Sequence, residues 1–71
     1  MDILAPMPAN VFEVMVNVGD TVTEEQELML LESMKMEVPV EAPVAGTVSA
    51  VKVAKGDAVG EGDVLLVIDE S

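Results

Sequence analysis

Seventy-one residues allow one small core and no second domain, and the 51% that are apolar are mostly Val, Ala, Leu and Met, with Phe12 the single aromatic. The chain has no Cys and no His, which excludes a disulfide staple and a thiolate metal site and removes the commonest metal ligand and the usual general base. A formal net charge of −11 repels phosphate backbones and anionic lipid, so neither nucleic acid nor a membrane surface is an expected partner; the acid serves solubility first and recognition by a basic partner second.

The chain opens with a short apolar segment, residues 1–4, that Ala5-Pro6-Met7-Pro8 ends, because proline cannot serve a central ladder. Residues 11–18 are rich in Val and read as a strand, followed by a turn at Gly19-Asp20 and a short strand or bridge at Thr21-Val22. Glu24-Glu25-Gln26 is a polar loop, and the apolar run 28–31 is the next strand. An alternating run, residues 38–41, follows only a few residues later, so the two form a hairpin with Lys35 at or near its tip. Residues 47–53 form a strand, Gly56-Asp57 a turn, Ala58-Val59 a short strand, Gly60-Glu61-Gly62-Asp63 a loop, and residues 64–68 the last strand. No stretch shows a sustained helical period, none is long enough to span a bilayer, and no basic, apolar signal region opens the chain. The expectation is an all-β, soluble, cytoplasmic protein.

The second half repeats the first. A shift of 37 residues carries Ala5-Pro6 onto Ala42-Pro43, Val11 onto Val48, Gly19-Asp20 onto Gly56-Asp57, Val22 onto Val59 and Leu28 onto Leu65, without a gap. Both copies break strict alternation at the same place, between Val11 and Val14 and between Val48 and Val51, which predicts a shared β-bulge. One copy cannot bury its apolar face alone, so two sheets packed face to face and related by a pseudo-twofold axis are expected. The position 37 residues beyond Lys35 falls just past Ser71, so the chain ends take the place in the second half that the hairpin tip takes in the first. Met1 and Ser71 are therefore expected together, at the opposite end from Lys35.

Lys35 is one of three basic residues and sits between Met34 and Met36. Asn-Gly or Asp-Gly would turn a hairpin more easily. An exposed lysine amine is almost wholly protonated at neutral pH. Catalytic lysines are activated by burial or by a neighbouring cation, and Glu32 and Glu37 supply neither. A second enzyme that deprotonates the amine and brings it an activated acyl group fits better than catalysis by the chain itself. The plainer readings are a solvated turn lysine, core packing for the two Met residues, and a solvated pair for Glu32 and Glu37.

Glu32-Ser33-Met34-Lys35-Met36 resembles the attachment motif of the biotin carboxyl carrier protein family, in which the lysine of a Met-Lys-Met triplet is biotinylated. Ala5-Pro6-Met7-Pro8, Val18-Gly19-Asp20 and Lys55-Gly56-Asp57-Ala58-Val59 sit where that family has its turns, so the resemblance covers residues 1–71 as one biotinyl, or biotin/lipoyl attachment, domain. It implies a flattened barrel, or sandwich, of two four-stranded antiparallel sheets. Lys35 would be joined to biotin by biotin protein ligase using biotinyl-adenylate, with Met34 and Met36 recognised by that ligase. The tethered group would then serve a biotin carboxylase and a carboxyltransferase, and the chain itself would be a carrier, not an enzyme. Ala9 stands where the family commonly has Gly, which predicts a different φ there, and Ser33 replaces a common Ala. The gapless repeat leaves no room for a protruding thumb, so thumbless biotinyl domains are the nearer likeness. The rival readings are a lipoyl carrier, whose lysine usually follows Asp and precedes a small residue, and an unmodified module that scaffolds a carboxylase.

Overall fold

In the computed structural model, which describes residues 1–70, eight strands run in chain order. They are β1 (Asp2–Leu4), β2 (Ala9–Val14), β3 (Thr21–Val22), β4 (Glu27–Ser33), β5 (Met36–Glu41), β6 (Gly46–Val51), β7 (Ala58–Val59) and β8 (Val64–Glu70). They form two four-stranded antiparallel sheets, ordered β1-β8-β6-β3 and β5-β4-β2-β7. No helix among the described residues is long and apolar enough to cross a membrane.

The 37-residue repeat is the symmetry of the fold. It carries β2 onto β6, β3 onto β7 and β4 onto β8 with identical bounds, and places β1 on the second half of β5. One sheet order then becomes the other. The loops obey it too: Gly19 N–H donates to Val48 O at 2.8 Å, and Gly56 N–H to Val11 O at 2.8 Å. Asn17 N–H donates to the Asp20 carboxylate and Ala54 N–H to that of Asp57, each at 2.9 Å, so each aspartate closes its own turn.

Two pairs of bulges curl the sheets. The β2–β4 register shifts between Val11 and Glu13, and β6–β8 shifts between Val48 and Ala50, where the broken alternation predicts it. A second pair leaves Leu28 and Leu65 without a direct partner. At those points consecutive side chains turn inward, so Leu28-Met29 and Leu65-Leu66 are all fully buried, which strict alternation forbids. The core is built from repeat equivalents: Ile3 with Val40, Ala5 with Ala42, Val11 with Val48, Val22 with Val59, Leu28 with Leu65, Met29 with Leu66, Leu31 with Ile68. No charged side chain is buried among the described residues.

The strand expected at residues 11–18 runs instead from Ala9 to Val14, and that expected at 47–53 from Gly46 to Val51. Beyond Val14 only one more bond, from Met15 N–H to Leu28 O at 3.0 Å, ties the chain to β4. The chain then crosses to the other sheet, and Val16 is buried in that crossing. β4 and β8 are longer than expected at both ends or at the C-terminal end, because their flanking carboxylate residues pair with the neighbouring strand while pointing to solvent.

Candidate modification site

The β4–β5 hairpin has six paired positions and closes with Ser33 opposite Met36, leaving a two-residue turn, Met34-Lys35. Both turn residues have positive φ, 52° and 66°, the geometry of a type I′ turn. That turn matches the right-handed twist of the flanking strands, which is why the chain adopts it without Asn or Gly. The cost is left-handed backbone at two ordinary residues, about 1–2 kcal/mol each.

Lys35 lies at the tip and is exposed, with Met34 92% and Met36 67% exposed beside it. These thioether side chains are not core filler. Glu32 and Glu37 face each other across the hairpin, both exposed, as a solvated acidic pair. No side-chain hydrogen bond among the described residues engages the Lys35 amine. The arrangement offers a free primary amine on a short, conformationally fixed support. It offers no base to deprotonate that amine.

Ser33 anchors the foot of the tip, its hydroxyl donating to Pro8 O at 3.1 Å. The repeat explains why a side chain does this work. In the second half Gly46 pairs with Glu70, but the equivalent Ala9 makes no such pair with Ser33, and pairing starts at Asn10 with Glu32. A Cβ at Gly46 would run into Asp69 O and approach Ile68 Cγ2 at 2.7 Å, so a residue with a side chain cannot come as close. Ala9 lies in β2 and is not among the positive-φ residues, so the different φ expected there is not found, and the change is in pairing. Sequence reasoning noted Ser33 only as a replacement for a common Ala and missed this bond. The signal was the mismatch of Ala9 with Gly46.

The foot of the hairpin lies near the chain's end. From Glu41 only four residues lead to Gly46, which pairs with Glu70 at the end of β8. The Met1 amine donates to Ile68 O at 2.6 Å, and Ile68 N–H donates to the Met1 carbonyl oxygen at 2.8 Å. Ser71, and with it the expected meeting of Met1 and Ser71, lies outside the described residues.

Compared with known proteins, residues 1–68 match the family described as "Biotin-requiring enzyme". The chain belongs to that biotin/lipoyl attachment family. Within it, the chain is 56% identical over 64 residues to a biotin carboxyl carrier protein of Streptococcus mutans, covering 90% of this chain and 49% of that protein. It is 51% identical over 67 residues to the biotinylated protein TB7.3 homolog of Mycobacterium leprae, covering 94% of each. The chain thus spans about half the length of the first relative and nearly all of the second. Its fold superposes with a TM-score of 0.95 and 34% identity on part of a single-chain, multi-domain long-chain acyl-CoA carboxylase, covering all of this chain and 7% of that one.

Proposed function

We propose that the chain is the biotin carrier of a biotin-dependent carboxylase, with Lys35 the residue that bears the group. One observation carries the reading: the amine stands on a two-residue turn, exposed and without a hydrogen-bond partner among the described residues, between two exposed Met side chains. An amide needs an accessible amine and nothing else from the carrier, so the residues present fit covalent attachment. When bound, biotin supplies the acceptor and donor of a carboxyl group moved between a carboxylase site and a carboxyltransferase site.

The chain's own residues attach, present and exclude alternatives. In the acylation the Lys35 ammonium would give up two protons to groups of the ligase, one to free the amine and one as its nitrogen becomes the amide, and AMP would leave the activated acyl carbonyl as the new C–N bond forms. Met34 and Met36 give the ligase flexible apolar contacts that can also suit a second enzyme surface. The fixed tip leaves only the lysine stem to be ordered in each active site, which lowers the cost of every visit. Tethering also keeps the carried group at high effective concentration near both sites. The chain contributes no catalytic residue, and its working compartment is taken to be the cytoplasm.

The test is intact mass after incubation with a biotin protein ligase, biotin and ATP. One biotinyl increment is expected on the native chain and none on Lys35→Ala, with Lys52 and Lys55 unlabelled. Labelling of the Lys35→Ala chain overturns the assignment. A lipoyl increment on protein isolated from its source, or no increment at all, supports instead the lipoyl-carrier or scaffold reading.

A further inference from the structure

The halves share most of their core positions, and among the many surface differences one leaves a large aromatic side chain exposed. On the outer face of the β5-β4-β2-β7 sheet, the bulge brings Phe12 and Glu13 out together, opposite Leu30, which in turn pairs with Pro39. Phe12 is 43% exposed and Leu30 half-buried, while Glu13 and Pro39 are exposed. The row is thus apolar from Phe12 through Leu30 to Pro39. Between it and the tip lie Glu32 and Glu37, and Glu13 flanks it. The equivalent row of the other sheet is Ser49, Ala50, Val67 and Asp2. The only aromatic side chain of the protein therefore stands in solvent, on the sheet that carries Lys35, at a position where the repeat has serine.

We infer that this face, Phe12-Leu30-Pro39 with the Glu13, Glu32 and Glu37 carboxylates, is the docking surface for the enzyme that acylates Lys35, and that the enzyme meets it with an apolar pocket ringed by Lys or Arg. The inference rests on the carrier reading. Distance and charge both favour this occupant. Leu30 is five residues from Lys35 along β4, about 16 Å at roughly 3.3 Å per residue. A standard interface covers about 800 Å² on each partner, a patch roughly 30 Å across. A protein that seats the tip in its active site therefore reaches the row. Three carboxylates on a chain of net charge −11 select a basic rim and speed the encounter.

The repeat supplies the variants. Phe12→Ser installs the residue of the equivalent position, and Ser49→Phe puts the aromatic on the wrong face. With biotin protein ligase, initial rates against carrier concentration should show KM raised roughly tenfold for Phe12→Ser, equal to about 1.4 kcal/mol, with kcat within twofold. Ser49→Phe should leave both unchanged. Glu13→Lys, which removes no buried group, should also raise KM and flatten its rise between low and high salt. An unchanged KM for both Phe12→Ser and Glu13→Lys, or an equal rise for Ser49→Phe, overturns the docking surface while native labelling still upholds the carrier. Failure of the native chain to be labelled at Lys35 overturns both.

Discussion

The turn at Met34-Lys35 predicts a trade of stability for presentation. Met34 holds a φ of 52° and is 92% exposed, so replacing it removes no burial. Left-handed backbone costs an ordinary residue about 1–2 kcal/mol, and Asn escapes much of that because its short polar side chain bonds locally. Met34→Asn should therefore stabilise the chain by about 1 kcal/mol. For a domain of this size that is a Tm rise of about 4–8 °C, read by circular dichroism melting. The same variant should lose initial rate with biotin ligase, since it removes one apolar flank of the lysine. Glu25 gives the comparison: its φ is 71°, it is exposed, and its repeat equivalent is Gly62, with φ 88°. Glu25→Gly should raise Tm by less, because glycine is freer in the unfolded chain, and should leave labelling untouched. A Tm that falls or stays level in Met34→Asn would refute the claim that the tip is strained.

Ser33→Ala removes the bond to Pro8 O and should cost about 0.5–1.5 kcal/mol, seen as a lower Tm and faster hydrogen exchange at residues 33–36. Labelling of Lys35 should continue, because the two-residue turn is set by the β4–β5 register and not by that bond. Gly46→Ala drives a Cβ into Asp69 O and Ile68 and should cost about 1–3 kcal/mol, measured by denaturant unfolding, again with labelling retained below the transition.

The architecture was legible because the repeat is gapless and each half shows one bulge as a broken alternation. The second pair of bulges was not, since Leu28-Met29-Leu30-Leu31 is apolar throughout and carries no alternation to break. Strand ends were displaced for a related reason: Val16 is as buried as a strand residue but lies in the crossing between sheets, and burial alone was visible in the sequence. The hairpin and its exposed lysine could be read from spacing. The left-handed turn could not, because Met and Lys carry no mark of positive φ, and Glu25 hides the same geometry that Gly62 declares. Phe12 was counted as the one aromatic, and the broken alternation between Val11 and Val14 was the signal that it faces outward beside Glu13.

Three departures from the repeat bear on the sheet that carries Lys35. Ala9 in place of Gly46 ends the β2 ladder short of the tip, and Ser33 holds the hairpin there by a single side-chain bond. Phe12 in place of Ser49 gives the same sheet its exposed aromatic. Met34-Lys35 turns the hairpin of that sheet through positive φ at two ordinary residues. A fold that needed only stability would gain from glycine at the turn, a full ladder at its foot and a polar residue on its outer face, and the second half has the last two. The first half gives them up on the sheet that carries Lys35. A carrier must be recognised by the enzyme that loads it, yet keep its amine unengaged for others. That combination requires a rigid support, a recognition surface set back from the tip, and a tip that binds nothing of its own.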